Sequence, residues 1–272
     1  RRNILAHYDL GNDFYGAWLD PSLTYSAALF EGENDDLGAA QVNKYRRAAE
    51  AAGLRAGSRV LEIGCGWGGF AEWVAREIGC TVTALTISDA QHAHATQRIR
   101  AAGLSDRVEI RRQDYRDVRG AYDGIVSIEM FEAVGERYWR TFFETVARCL
   151  VPGGRAAVQV ITIDDAVFPA YRRSTDFIQR YVFPGGMLPS PAAFRAAAAE
   201  AGLTPQPERR FGGDYARTLN LWRERFEAAW PEIRSQGFDE RFRRLWRYYL
   251  CYCEAGFTIG NIDVMQIPLV RA

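Results

Sequence analysis

The 272-residue chain carries 34 basic and 34 acidic side chains, so its net charge is formally zero and no overall field steers it toward nucleic acid. Its hydrophobic content of 48% supports a sizeable core, and the length fits one α/β domain with insertions or a domain with a helical cap. Neither Cys65, Cys80, Cys149, Cys251 and Cys253 nor His7, His92 and His94 has the spacing of a disulfide framework or a structural zinc site, so no metal is expected.

No apolar run reaches the roughly 18 residues needed to span a bilayer, and no signal peptide is visible. A reduced, cytoplasmic location is expected. The chain starts at Arg1 and not at Met, and a further N-terminal region is expected to precede it.

Residues 1–40 are aromatic-rich and irregular, with Tyr8, Phe14, Tyr15, Trp18, Tyr25 and Phe30 among small and acidic residues. This segment is expected to cover the active site of a catalytic domain spanning 41–272. A helix is predicted over 39–52. Alternation then predicts strand 59–63, helix 70–78, strand 81–85, helix 89–102, strand 107–111, strand 123–128, helix 136–149 and strand 154–160. The VPGG run at 151–154 reads as a turn between helix and strand. The pattern breaks over 163–190, which is rich in Phe, Tyr, Arg and Pro and reads as a cap insertion. Ser190 and Pro191 suit the N-cap and first position of a helix over 191–202. The stretch 204–215 is expected to return to the sheet. Residues 218–254 read as one or two amphipathic helices forming a second cap insertion, and 262–270 as the final strand.

The run VLEIGCGWGGF at 60–70 is the most informative segment. A short buried strand meets a turn in which Gly64, Gly66, Gly68 and Gly69 let a ligand approach bare backbone, and a helix follows. Dinucleotides and S-adenosylmethionine both use such an element. A nicotinamide site expects an acid about 20 residues past the first glycine. Here the second strand runs into Thr86, Ile87 and Ser88, which are uncharged. Glu62, inside the first strand, could accept from an ammonium or from backbone N–H groups beneath the turn. That suits the amino-acid end of S-adenosylmethionine.

Several separated motifs resemble the cyclopropane fatty acid synthase family of S-adenosylmethionine-dependent methyltransferases. They are HYDLGNDFYGAWLDPSLTYS (7–26), VLEIGCGWGGFA (60–71), TISDAQ (86–91), QDYRD (113–117), SIEMFEAVG (127–135), FIQRYVFPGGMLPS (177–190), DYARTLNLW (214–222) and YYLCYCEAGF (248–257). The resemblance covers essentially the whole chain. It implies a class I methyltransferase (Rossmann-like) α/β sheet with helical insertions forming an acyl-chain pocket. It also implies action on double bonds of unsaturated acyl chains in phospholipids. Carried over, Gly64, Gly66 and Gly68 would line the methionine part of the cofactor, with Tyr25 and Ser26 on its carboxylate side. Thr86, Ile87 and Gln91 would sit near the ribose, and Asp114 and Tyr115 would frame the adenine.

An alkene attacking a sulfonium methyl needs alignment and a dry cavity, and the cation left on the acyl chain needs aromatic faces and a nearby base. Tyr25 is among the aromatic candidates. In cyclopropane-forming members the resemblance implies a bicarbonate base held by a Cys, a Glu, a His, a Tyr and a backbone group. Glu132 and Tyr215 match two of these, and the backbone group falls near Ile161. The Cys position is Ala27 and the His position is Gln159. These departures argue against a firmly held bicarbonate. They make Glu132, directly or through water, the expected proton acceptor, with Gln159 and Tyr215 beside it. A methyl-branched unsaturated product is then favoured over a cyclopropane.

Arg172 and Arg173, Arg209 and Arg210, and Arg241, Arg243, Arg244 and Arg247 lie in the insertions, the last group beside aromatics. Such a mixture suits peripheral contact with an anionic membrane, or else an ordinary solvated helix face. Nucleic acid is not an expected partner, and homodimerisation is compatible with the reading. Two alternatives are a small-molecule N- or C-methyltransferase of the same fold and a non-catalytic lipid-binding protein.

Overall fold

The computed structural model describes residues 10–32 and 35–272, so His7 and Tyr8 of the first motif lie outside the described residues. Alternating apolar strands and helices build a mixed sheet. Its parallel strands are β1 (Arg59–Ile63), β2 (Thr81–Thr86), β3 (Val108–Arg112), β4 (Tyr122–Ile128) and β5 (Leu150–Ile163). β8 (Ile262–Arg271) runs antiparallel beside β5, and β6 (Leu203–Pro205) and β7 (Arg209–Arg210) pair with β8. Among the described residues the order is β3-β2-β1-β4-β5-β8-β6, so the chain reverses direction beside β1, where such sheets place ligands at the carboxyl ends of their strands.

Local chemistry sets the helix starts. The Asp36 side chain accepts from Ala39 N to open α2 (Leu37–Ala51), which follows the short α1 (Asn12–Gly16). The glycine turn leads into α3 (Gly69–Trp73), which widens into a π turn over Val74–Ile78. Ser88 caps α4 (Asp89–Ala101), and α5 (Trp139–Cys149) precedes β5. Ser190, with Pro191 behind it, caps α8 (Pro191–Glu200) as the sequence predicts. Each such cap is worth about 0.5–2 kcal/mol.

Three predicted elements differ. The VPGG run is not a clean turn. Pairing with β4 resumes from Tyr122–Leu150 to Gly124–Arg155, so 151–154 bulge out of a continuous extended segment with Gly153 at φ 72°. The stretch 204–215 returns to the sheet only as β6 and β7. From Gly212 it is helical, because Asp263 on β8 accepts from Gly212 N and starts α9 (Gly212–Ala228). Residues beyond 218 form α9, α10 (Trp230–Ser235) and α11 (Glu240–Thr258). Pro231 divides the first two, and Asp239 caps the third. Within 163–190, α6 (Phe168–Tyr171) and α7 (Phe177–Tyr181) form, the latter through a reciprocal Asp176–Gln179 capping box.

The two sheet faces are covered by separate apolar clusters, one centred on Phe131, Phe142, Phe143 and Phe194, the other on Tyr45, Phe70, Val74 and Ile99. A third, aromatic cluster joins the N-terminal segment to α9 and α11 through Phe14, Tyr15, Trp18, Trp222 and Trp246. Trp222 meets Tyr25 at 5.2 Å and Trp18 at 5.7 Å between ring centroids. The N-terminal segment is thereby fixed over the carboxyl ends of β1 and β4. No described helix is long and apolar enough to cross a membrane.

Candidate functional site

A cavity of about 310 Å³ opens at those strand ends, and Tyr25, Ser26, Glu62, Gly64, Gly66, Thr86, Ile87, Gln91, Asp114 and Tyr115 all line it. The turn needs its glycines. Gly64, at φ 88°, would place a Cβ 2.7 Å from Met130 Cγ, while a Cβ on Gly66 would meet nothing within 4 Å and would stand in the space a ligand needs. Gly68 does not line the cavity. Its left-handed φ of 84° starts α3, and its missing side chain admits Ala95 of α4. Gly68 thus has a packing role at the start of α3.

Thr86 Oγ1 donates to Gln91 Oε1 at 2.9 Å and accepts from Ser88 N, which fixes the β2 edge of the cavity. Asp114 follows β3, with both carboxylate oxygens accepting from Arg116, and Tyr115 packs on Phe142 at 5.6 Å. Glu62 is buried, and its Oε2 has no hydrogen-bond partner. Burial raises its carboxyl to about 8, a tendency opposed by the charge of Lys44. A buried acceptor without a partner beside exposed turn backbone fits the ammonium of an amino-acid tail.

The wall of the cavity beyond β4 centres on a residue the sequence reading does not single out. Glu129 directly follows β4 and holds φ at 50°, a left-handed value uncommon for a non-glycine residue. Its Oε1 accepts from Ala27 N at 2.8 Å and from Gln159 Nε2 at 2.7 Å, and its Oε2 accepts from Tyr215 OH at 2.6 Å. Glu129 also lines the cavity, whereas Glu132, Gln159 and Tyr215 do not. Of the two departures from the bicarbonate pattern, Gln159 holds this internal carboxylate by its side chain, while position 27 adds a backbone N–H and leaves only a methyl group where a thiol was expected. Glu132 stands one layer back. Its Oε1 accepts from Ile161 N at 2.6 Å, and its Oε2 is buried without a partner. Burial, then the charge of Glu129, raises Glu132 to about 8, and burial raises Glu129 as well.

Further polar residues extend the network. Gln266 of β8, opposite Gln159 in the register, donates to Gln159 Oε1 at 2.8 Å and so turns its amide N–H toward Glu129. Tyr215 packs its ring on Phe257 at 4.3 Å. Tyr25 does not touch Glu129 by hydrogen bond; its hydroxyl meets Tyr249 OH at 2.8 Å. Lys44 of α2 is fully buried, donating to Ser26 Oγ and Gln41 Oε1. The signal for Glu129 is an acid directly after an apolar parallel strand. For Lys44 it is a solitary lysine at the buried spacing of Leu37, Gln41, Tyr45 and Ala48.

The reversed sheet, the glycine turn and the cavity at the strand ends define a class I S-adenosylmethionine-dependent methyltransferase fold. The chain belongs to the mycolic acid cyclopropane synthetase family, whose family model matches residues 1–267. A tuberculostearic acid methyltransferase of Mycobacterium tuberculosis is 44% identical over 279 residues, covering 100% of this chain and 65% of that protein. The cyclopropane-fatty-acyl-phospholipid synthase of Escherichia coli K12 is 40% identical over 268 residues, covering 97% and 66%. The chain therefore spans 65% and 66% of the lengths of these two relatives. The solved structure of the cyclopropane synthase MmaA2 from Mycobacterium tuberculosis superposes with a TM-score of 0.93 at 30% identity, over 99% of this chain and 98% of that one.

Proposed function

We propose that this protein transfers a methyl group from S-adenosylmethionine to the double bond of an unsaturated fatty acyl chain in a phospholipid, and that Glu129 takes up the proton then released. The observation that carries the reading is the Glu129 carboxylate, held by Ala27 N, Gln159 and Tyr215 at the wall of the cofactor cavity. Gly64, Gly66, Glu62 and Ser26 would hold the amino-acid part of the cofactor, Thr86, Ile87 and Gln91 the ribose, and Asp114 and Tyr115 the adenine. The cofactor supplies an electrophilic methyl group.

The alkene electron pair forms the new carbon–carbon bond as the carbon–sulfur bond breaks, leaving a cation on the acyl chain. The ring of Tyr25, which lines the cavity and is backed by Trp222, excludes water and presents a π face to it. Loss of a proton from a neighbouring carbon to Glu129 gives a methyl-branched alkene, whereas loss from the added methyl closes a cyclopropane. Glu129 replaces a diffusible anion in either outcome, so activity should not require added bicarbonate. The two curated relatives are named for methyl transfer and for cyclopropane synthesis, so their names alone do not choose the product. The carboxylate fixed by Ala27 and Gln159 favours the branched alkene.

Incubation with labelled S-adenosylmethionine and cis-monounsaturated phospholipid vesicles, followed by mass spectrometry and proton NMR, tests the reading. Vinylic signals beside a new methyl are expected. High-field cyclopropyl protons as the main signal would assign ring closure instead. Calorimetry should detect S-adenosylmethionine binding and no NAD binding, because Thr86 stands where a ribose-holding acid would be needed. NAD binding alone would refute the cofactor assignment.

We further propose peripheral contact with the inner, anionic face of a membrane. Not every arginine in the clusters is free for it. Arg172 pairs with Glu136, Arg210 with Glu208, and Arg243 with Glu227 and Glu240. Among the described residues Arg244 and Arg247 form no ion pair, and they flank Tyr248, which is 54% exposed. Exchanging both for Gln should weaken anionic-vesicle binding by about 1 kcal/mol per residue and leave neutral-vesicle binding unchanged. Equal binding of the wild type to both vesicle types in co-sedimentation would mark a solvated face.

A further inference from the structure

Lys44 is the one lysine among the chain's 34 basic residues, and it is fully buried. A buried ammonium is costly unless it serves a partner. Here no carboxylate of the described residues lies within ion-pairing distance, although Glu129, Asp20 and Glu62 act on it through space. Burial lowers its pKa to about 7.

The ammonium is aimed instead at a hydroxyl. Lys44 Nζ donates to Ser26 Oγ at 2.7 Å and to Gln41 Oε1 at 2.6 Å. Gln41 is oriented for this by its own amide, which donates to the Ser26 carbonyl at 3.1 Å. Gln266 donates to the Lys44 carbonyl, which ties this turn of α2 to β8. Ser26 lines the cavity, and its oxygen already accepts from Lys44, so its hydroxyl proton must turn toward another acceptor. None is present among the described residues. The same cavity presents the partnerless Glu62 Oε2, which calls for a donor. One wall therefore calls for an anion backed by a positive charge, and another for a cation.

We propose that Lys44 is a positioning residue for the carboxylate of the cofactor's amino-acid tail, acting through the Ser26 hydroxyl. This rests on the cofactor reading above. The Ser26 hydroxyl donates to the carboxylate, and the ammonium behind it both polarises that hydroxyl and balances the charge of the ligand. Lys44 touches neither the methyl group nor the acyl chain.

Calorimetry with S-adenosylhomocysteine and its decarboxylated analogue, on the wild type, Lys44→Met and Ser26→Ala, separates the possibilities. Wild-type protein should prefer S-adenosylhomocysteine. Each substitution should weaken that ligand roughly 10- to 100-fold while changing the analogue's affinity by about twofold or less. Ser26→Ala keeps the buried charge in place and so carries the test if Lys44→Met does not fold. Equal weakening of both ligands would show a structural role and overturn the proposal, as would unchanged affinity for both. Failure of the wild type to bind either ligand would instead overturn the cofactor reading on which the proposal stands.

Discussion

Replacing Glu129 by Gln is expected to lower kcat by about two to four orders of magnitude, the usual cost of losing a positioned base. The amide oxygen can still accept from Ala27 N and the Gln159 side chain, and the amide N–H can donate to Tyr215, whose hydroxyl rotates to accept. The site's shape should therefore survive, and S-adenosylhomocysteine affinity with it. Glu129→Ala opens a gap between the same three groups, into which formate or bicarbonate should enter and restore part of the rate.

The pH profile follows from the burial of both carboxylates. A base works only when ionised, and burial raises Glu129 and Glu132, the latter to about 8. The rate should therefore keep climbing with pH above the usual carboxylate range, instead of levelling off within it. In Glu129→Gln the residual rate belongs to Glu132. With the neighbouring charge gone, Glu132 titrates lower than it does in the wild type, while its burial still holds it above the usual carboxylate range. Near-normal turnover in Glu129→Gln, together with a dead Glu132→Gln, would return the proton to Glu132 and defeat this assignment.

Trp222→Ala should produce the largest loss of stability, about 3–5 kcal/mol for a large aromatic removed from a full core. Its side chain is completely buried between Trp18, Tyr25 and Tyr215. Neighbours from the N-terminal segment and α9 cannot both move inward to fill the space. Urea unfolding measures the effect. Activity should fall further than stability alone accounts for, because Tyr25 and Tyr215 lose the surface that orients them. A loss below about 1 kcal/mol would mean that the cluster repacks freely and does not hold the site's aromatic wall.

The cofactor half of the site is largely legible from the chain. A strand, a glycine turn and a helix are contiguous in sequence, so Gly64, Gly66 and Glu62 declare themselves through local geometry, and Thr86 and Asp114 fall at the ends of the next two strands. Gly68 looks like its neighbours in the motif but serves Ala95, a contact only the folded helix pair creates. Glu129 sits inside the quoted motif SIEMFEAVG, yet its importance comes from Ala27, Gln159 and Tyr215, which lie far from it along the chain. The two departures at Ala27 and Gln159 read as losses in sequence. In the fold, the Gln159 amide donates to an internal carboxylate, and position 27 needs only its backbone N–H. Periodicity places Lys44 on the inner face of α2 but cannot name Ser26 as its partner. The arginine clusters show the reverse problem, since composition cannot reveal that Arg243 is already neutralised by Glu227.

The antiparallel pairing of β5 with β8 also bears on how the folded site is reached. Gln159 and Gln266 are 107 residues apart in sequence, Ala27 and Glu129 are 102 apart, and Tyr215 and Glu129 are 86 apart. Closing such loops costs more entropy than pairing strands close in sequence, so these contacts are expected late in folding. The glycine turn, by contrast, comes from neighbouring strands and forms over short separations. Glu62, Gly64 and Thr86 are thus brought together over shorter loops than Glu129 and its three partners. The proposed base is therefore oriented only once the long-range pairings are in place.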